Sequence, residues 1–389
     1  VDTIENLIKK NNIIKNILNF IHGMSLKSYV FKKYFSTDKK IYKLIIEISS
    51  KNNKNLSNNY LKFKSIESGV FLTRDLVSEP PNVLNPKNYV VIINKLSKLG
   101  LKIKIYNELA MKKLGMNALL GVGQGSINKS YLATIEWNGN KKSKDKPLAF
   151  VGKGVCFDTG GISLKPAANM SEMKTDMSGA AAVVATMQAI AQLKPTINVT
   201  ALAPCTENMP GGGAQRPGDI VRAMSGKSIE VDNTDAEGRL ALADALGYAH
   251  NLNLKRLVDV ATLTGAIVTS LGNLCSGGFT NNQELMNQVV QSGEQTSERI
   301  WQLPMFEEYK DLNHSEVADV KNTGGRGAGS IAAAHFLKEF AEDTPWVHLD
   351  IAGTAFSSRV KGHIVKGATG VPMYNSARVH HRHHVELVR

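Results

Sequence analysis

The sequence has few cysteines and no long apolar run. Its cysteines, Cys156, Cys205 and Cys275, lie too far apart for a CxxC zinc knuckle or a disulfide framework, so we expect a protein of the reducing cytoplasm. The longest apolar stretch, AAAVVATMQAIAQL, is interrupted by three polar residues and falls short of the roughly 18 residues that a membrane span needs. The start, VDTIENLIKK, lacks the basic, apolar and small-residue order of a signal peptide. We therefore expect no membrane association.

Acidic residues are scarce in the first third of the chain. Residues 1–120 hold 21 Lys and Arg against 8 Asp and Glu, whereas residues 121–389 hold 26 of each. A basic region of this kind can be an electrostatic footprint for nucleic acid. The same region is rich in Lys, Asn and Ile together, which is also the composition that an AT-rich genome produces. DNA binding through this third stays open as an alternative function.

Segments typical of strands and helices alternate along most of the chain. The pattern predicts helices at 62–78, YVVIINKLSKLG, ELAMKKLG and SGAAAVVATMQAIAQLK, and strands at LKIKIYN, LATIEWN, PLAFVGKG and INVTALAPC. Further on, RLVDVATLTG and PWVHLDIAG complete this alternation of elements. This alternation favours an α/β fold in which helices cover a mixed, mainly parallel sheet. Active sites in such sheets lie beyond the carboxyl ends of the strands.

Three glycine-rich clusters of charged residues carry the functional signal, and we expect each to follow a strand. They are FVGKGVCFDTGGISLKP with Lys153, Asp158 and Lys165, EMKTDMSG with Asp176, and NTDAEGR with Asp235, Glu237 and Arg239. Four carboxylates that converge repel one another unless positive charge lies between them. Two divalent cations held by shared carboxylates are common in hydrolases. Such a ligand set suits Zn²⁺, Mn²⁺, Mg²⁺ or Co²⁺, and the sequence does not choose among them.

The stretch NTDAEGRL, residues 233–240, alternates charged with small residues. This alternation is typical of a strand with one polar face, although DAEGRLALADALGYAHNL leads into a helix. The small residues Ala236 and Gly238 let the backbone come close to a ligand. We therefore expect the polar face to meet a charged ligand.

Residues 66–370 resemble the leucyl aminopeptidase family, also called cytosol aminopeptidases. The resemblance is carried by NTDAEGRL and VGKGVCFDTGGISLKP, together with RDLVSEPPNVLNP, LLGVGQGS, CTENMPGGGAQRPGD, DVATLTGA and HLDIAGTA. It implies a dinuclear metallo-exopeptidase that removes the N-terminal residue, preferentially one similar to Leu, from peptides. It also implies two divalent metal ions per subunit, with Zn or Mn expected before Mg or Co.

The resemblance also implies roles for individual residues. One metal would be held by Asp158, Asp235 and Glu237, and the second by Lys153, Asp158, Asp176 and Glu237. The metals would create a bridging hydroxide, with Lys165 stabilising the oxyanion and Arg239 holding bicarbonate as the general base. Lys153 would have to be neutral, with its pKa lowered by burial beside two cations. The side-chain pocket would involve Met173, Thr262, Gly265 and Ala352.

The resemblance finally implies a division of the chain and an assembly. Residues 1–60 would be a truncated remnant of an N-terminal α/β domain, 61–90 a helical and Pro-rich linker, and 91–370 the catalytic domain. Residues 371–389 form an atypical His/Arg-rich tail for which we expect no function. Relatives assemble as homohexamers, so we expect a homohexamer here. An inactive, truncated relative is a further alternative, although all seven catalytic and metal positions are present.

Overall fold

A mixed sheet lies at the centre of the computed structural model, which describes residues 13–36, 53–143, 147–360 and 362–373. Within these residues the sheet has nine strands. They are β1 (Lys102–Tyr106), β2 (Tyr131–Asn138), β3 (Leu148–Gly152), β4 (Gly154–Asp158), β5 (Asn198–Asn208), β8 (Arg256–Ala261), β9 (Ser276–Thr280), β10 (Ile300–Gln302) and β12 (Trp346–Asp350). A small sheet contains β6 (Ile220–Arg222), β7 (Ser228–Glu230) and β11 (Val320–Lys321), and β13 (Phe356–Ser357) pairs with β14 (Gly367–Ala368).

Most neighbouring strands of the large sheet are parallel. Its strand order is β1-β2-β5-β3-β8-β12-β9-β10, with β4 also paired to β5. The pairs β5–β3, β3–β8, β8–β12, β4–β5 and β9–β10 are parallel, whereas β1–β2, β2–β5 and β12–β9 are antiparallel. This order confirms the predicted mixed, mainly parallel sheet.

Helices cover both faces of this sheet. They are α1 (Ile13–Lys27), α2 (Asn53–Ser78), α3 (Pro86–Lys95), α4 (Glu108–Lys113), α5 (Asn117–Gly123), α6 (Ser178–Leu193), α7 (Glu237–Asn251), α8 (Gly265–Leu271), α9 (Gln283–Thr296) and α10 (Gly329–Ala341). Three short 3₁₀ helices span Leu96–Leu99, Met170–Thr175 and Glu307–Asn313. Successive residues of β3 point to opposite faces, so that Phe150 packs in the core under α3 and α6 while Ala149 and Val151 pack under α7 and α10.

Local sequence sets several helix starts. The side chain of Asn85 accepts a hydrogen bond from the backbone N–H of Asn88, and Pro86 occupies the first helical position of α3. Thr264 caps α8 and Asn282 caps α9 in the same way. These caps explain why the helices begin directly after their polar residues.

The first described helices pack onto the catalytic part of the chain. The guanidinium of Arg74 in α2 donates to the carbonyl oxygens of Leu26 and Thr369, and Ser68 donates to Gln192 of α6. The helix predicted at 62–78 is longer in the structure, because α2 begins at Asn53. The proposed boundaries at residues 60, 90 and 370 stay predictions, and residues 374–389 of the His/Arg-rich tail lie outside the described residues. In the described part of the chain, no helix is long and apolar enough to cross a membrane.

Candidate active site

The large sheet opens at Lys153, between β3 and β4. Up to Val151 the chain pairs with both β5 and β8, and from Gly154 it pairs with β5 alone. The backbone N–H of Lys153 still donates to the carbonyl of Val260, and its carbonyl accepts from the N–H of Ala180 at the start of α6. This opening lies at the carboxyl ends of the parallel strands, where the sequence predicted the site.

The ammonium group of Lys153 lies in a buried cage of oxygen atoms. It is 2.7 Å from Oδ1 of Asp176, 2.8 Å from Oε1 of Glu237 and 2.9 Å from the carbonyl oxygen of Thr262. Only 3% of the Lys153 side chain is exposed. Thr262 also donates from Oγ1 to Asp176, 2.9 Å away. Lys153, Asp176 and Glu237 therefore form one charged cluster, as the sequence predicted.

A second lysine joins the remaining two carboxylates. The Nζ of Lys165 lies 2.8 Å from Oδ2 of Asp158 and also contacts Oδ1 of Asp235. The other oxygen of Asp158 accepts from Asn208 and from the N–H of Gly160, both at 2.8 Å. Gly160 has a φ of +89°, and a Cβ there would lie 2.4 Å from a backbone oxygen. The turn after Asp158 thus requires glycine.

NTDAEGRL is a turn followed by a helix, and the strand-like interpretation of its alternation was wrong. Helix α7 begins at Glu237, and Asp235 lies in the turn before it. Residues two positions apart in a helix are separated by about 200° around its axis, so Glu237 and Arg239 point to nearly opposite sides of α7. Glu237 contacts Lys153, whereas Arg239 donates to the carbonyl oxygen of Asn322, 2.6 Å away.

The expectation that every cluster follows a strand was wrong for the cluster of Asp176. Asp158 ends β4, but Asp176 follows the 3₁₀ helix Met170–Thr175 and precedes α6. The cluster of Asp235 follows β7, which belongs to the small sheet. The fold brings them together because helices α6 and α7 both start at the carboxyl edge of the large sheet.

Burial and mutual attraction together set the charges of the cluster. Burial raises the pKa of Asp158 to about 6 and raises the pKa of Asp176 well above its usual range. Burial acts in the same direction on Glu237, but the ammonium groups of Lys153 and Lys165 outweigh it and leave its pKa below the usual value. Glu237 is therefore the carboxylate that these lysines hold most firmly in its charged form.

The pKa of Lys153 is raised in this structure, opposite to the expected lowering. Burial alone would lower it, but the carboxylates of Asp176, Glu237 and Asp158 outweigh burial. The expected lowering depends on two cations beside the amine, whereas the neighbours that raise the pKa here are carboxylates. A neutral Lys153 ligand thus requires the field of the cations themselves.

The residues of the cluster fit a site for divalent metal ions. Carboxylate oxygens of Asp158, Asp235 and Glu237 lie within 4.8 Å of one another. Among the described residues, Oδ2 of Asp176 and Oε2 of Glu237 are buried and accept no hydrogen bond. Buried carboxylate oxygens without a donor are unfavourable, and a coordinated cation relieves this cost.

A cavity of about 260 Å³ adjoins this cluster. Its walls come from segments 233–239, 263–266 and 323–329, and include Asp235, Arg239 and Gly265. In the described residues Nε of Arg239 is buried and has no hydrogen-bond partner. Burial lowers the pKa of Arg239 to about 10, which leaves the guanidinium charged at neutral pH. The cavity therefore presents a donor suited to an anion.

The four residues predicted for the side-chain pocket differ in their positions. Gly265 lines the cavity, and Thr262 contacts the cluster through Lys153 and Asp176. Met173 and Ala352 are half-buried and do not line this cavity. Their pocket role stays a prediction.

Two buried asparagines, which were not predicted from the sequence, organise the cluster. Asn208 holds Asp158 and also donates to the carbonyl of Thr234, 3.0 Å away. Asn322 accepts from the N–H groups of Asp232 and Asn233 and so fixes the turn before α7. Both act on residues far away in the chain, and nothing in their local sequence marks them.

Comparisons with known proteins agree with this geometry. Residues 71–375 match the cytosol aminopeptidase family, catalytic domain. A probable cytosol aminopeptidase of Rhizobium leguminosarum bv. trifolii (strain WSM2304) is 49% identical over 346 residues, covering 87% of this chain and 70% of the relative. One from Bradyrhizobium sp. (strain BTAi1) is 54% identical over 294 residues, covering 75% and 59%.

A solved structure is similar over nearly the whole chain. The bottromycin maturation enzyme BotP has a TM-score of 0.86 and 32% sequence identity, covering 94% of this chain and 79% of its own. The same enzyme in complex with Mn gives the same values. The resemblance inferred from the motifs is thereby confirmed. The chain belongs to the cytosol aminopeptidase family and is a hydrolase that acts on peptides as an aminopeptidase dependent on divalent metal ions.

Proposed function

We propose that the chain removes the N-terminal residue from peptides, with a preference for residues similar to Leu, at the cluster of Lys153, Asp158, Asp176, Asp235 and Glu237. The observation that carries this proposal is the convergence of Asp158, Asp235 and Glu237 beside Asp176, together with buried oxygens of Asp176 and Glu237 that lack a hydrogen-bond donor. Asp158, Asp235 and Glu237 would hold one metal, and Lys153, Asp158, Asp176 and Glu237 the second. When bound, the metals would anchor the substrate's α-amine and activate a water molecule as the nucleophile.

Lys165 would stabilise the oxyanion that forms on the substrate carbonyl. Its ammonium group contacts Asp158 and Asp235, which belong to the proposed ligand set. With a metal ion bound to those carboxylates, the ammonium group would be available to the substrate. About a fifth of its side chain is exposed, so it can reach a bound peptide.

Arg239 would bind bicarbonate, which would take up and return the proton of the reaction. The unpartnered Nε of Arg239 and its place in the cavity wall support this role. A planar guanidinium binds a planar oxyanion through two parallel hydrogen bonds. The hydrogen bond to Asn322 holds the guanidinium in position from the other side.

We propose Zn²⁺ or Mn²⁺ before other metals. We also propose that the chain forms a homohexamer in the cytoplasm. The complex of the related BotP with Mn supports Mn²⁺. The mass of the protein in solution tests the hexamer. DNA binding rests on the charge of the first 120 residues alone, and we do not propose it.

Release of Leu from leucyl amide tests the proposed function. We expect activity that a chelator removes and that added Zn²⁺ or Mn²⁺ restores, and we expect Asp235→Ala to be inactive. A panel of amides with other N-terminal residues tests the preference for Leu. Activity that survives both the chelator and Asp235→Ala would contradict the proposal.

A further inference from the structure

The active-site cavity contains a second arginine that the proposed mechanism does not use. Arg326 lines the cavity and is exposed. Among the described residues it has no ion-pair or hydrogen-bond partner. It lies between Gly325 and Gly327 in a loop that leads into α10. A charged side chain at a cavity wall without a partner is available to a ligand.

The charges around this cavity favour an anion. Its walls contain two guanidinium groups, of Arg239 and Arg326, and one carboxylate, of Asp235. That carboxylate contacts Lys165 and is also a proposed metal ligand, so a cation compensates its charge in either case. Gly329 also lines the cavity and begins α10, whose N-terminal end carries a partial positive charge. The cavity is therefore positive although it adjoins a cluster of carboxylates.

A short peptide places its two ends at suitable positions. Its N-terminal amine would bind at the proposed metal site, and its carboxylate lies at the opposite end. In a dipeptide the two ends are separated by a single peptide bond, which a cavity of about 260 Å³ can contain. The bound carboxylate would then belong to the part of the substrate that leaves.

We propose that Arg326 is a specificity-determining residue that binds a carboxylate on the leaving part of the peptide. This inference rests on the proposed aminopeptidase function. The carboxylate can be the C-terminal group of a dipeptide or the side chain of an acidic second residue, since a guanidinium binds both in the same way. Peptides with a neutral leaving part are the disfavoured substrates.

The test compares substrates that differ in this one charge. We would measure kcat and KM for Leu-Gly against Leu-Gly amide, and for Leu-Asp amide against Leu-Asn amide. The variants are Arg326→Gln, Arg326→Lys and, as a matched control, Arg299→Gln, since Arg299 is also exposed but does not line the cavity. The two substrate pairs separate a main-chain carboxylate from a side-chain one.

We expect Arg326→Gln to reduce the preference for the charged substrate of at least one pair about tenfold, through KM, which corresponds to about 1.4 kcal/mol. Arg326→Lys should keep part of the preference, Arg299→Gln should keep all of it, and added salt should weaken it. An unchanged ratio in Arg326→Gln would overturn the proposal, as would an equal loss of kcat for all four substrates. A wild-type protein that cleaves none of them would instead refute the proposed function.

Discussion

The side chain of Lys153 lies across Gly238, so that a Cβ at position 238 would be only 2.5 Å from Cε of Lys153. The ammonium group beyond that carbon is held by Asp176, Glu237 and the carbonyl of Thr262. Glycine in the first turn of α7 therefore makes room for a buried lysine. From the sequence alone, Gly238 is explained by a close approach of the backbone to a ligand. The contact with Lys153 explains this glycine better.

Replacing Gly238 by Ala should reduce activity without unfolding the protein. The added Cβ pushes the ammonium group of Lys153 out of its cage, and a displacement of about 1 Å at a reacting centre costs about 100-fold in rate. We expect a loss of that order in kcat/KM for leucyl amide. Gly23→Ala is the control, because Gly23 also lies in a helix and a Cβ there meets no atom within 4 Å. Equal activity of both variants would rule out this role of Gly238.

Replacing Lys153 by Met should destabilise the metal-free protein. The variant leaves the carboxylates of Asp176 and Glu237 buried without their cation, and loss of one partner of a buried pair costs about 3–5 kcal/mol. Urea unfolding in the presence of a chelator measures this difference. The control is Lys102→Met, which removes a largely exposed ion pair with Glu136 and should change little. A Lys153→Met protein as stable as the wild type would contradict the charge balance described above.

Replacing Arg239 by Gln should lower kcat about 100- to 1,000-fold, the usual effect of losing a general base or an anion-binding donor. The change in KM should be small, because Arg239 is proposed to act through an anion. The wild-type rate should rise with added bicarbonate, whereas the rate of the variant should not. A wild-type rate that is independent of bicarbonate in carbonate-free buffer would contradict the role of this anion.

Asp244 should make stability depend on pH. It is buried in α7 and accepts hydrogen bonds from the N–H groups of Leu119 and Met224, yet burial raises its pKa to about 7. In the unfolded chain its pKa is about 3.9, so between about pH 4 and 7 the folded protein binds the extra proton and loses stability as pH rises.

The comparison with Asp244→Asn isolates this effect. Asparagine cannot ionise, so the free energy of unfolding of the variant relative to the wild type should increase from pH 5 to pH 7, by up to about 1.4 kcal/mol per pH unit. Urea unfolding of both proteins with a chelator present measures the difference. A difference that is the same at both pH values would show that Asp244 is ionised throughout this range.

Much of the site could be predicted from the sequence because its charged residues lie in short motifs beside glycines. Lys153, Asp158 and Lys165 fall within one stretch, and they meet the other clusters because α6 and α7 start at the edge of the large sheet where this stretch lies. The strand-like interpretation of NTDAEGRL failed because period-two alternation was stronger locally than the helical pattern that follows Glu237. Tertiary packing of α7 decided the conformation.

The supporting contacts could not be predicted. Asn208 reaches Asp158 across 50 positions of the chain, and Asn322 reaches Arg239 across 83. No spacing or periodicity links such pairs, since the sheet order alone brings them together. The same holds for Arg326, whose relation to the cavity depends on where the loop before α10 lies.

Titration of the metal-free protein with Mn²⁺, followed by both binding and release of Leu, tests the central claim most directly. The account predicts two equivalents bound per chain in the wild type, with activity returning as they bind. It predicts that Asp235→Ala and Glu237→Ala lose both high-affinity binding and activity. Full activity before any metal is added, or unchanged binding of two equivalents by both variants, would contradict the assignment of these carboxylates.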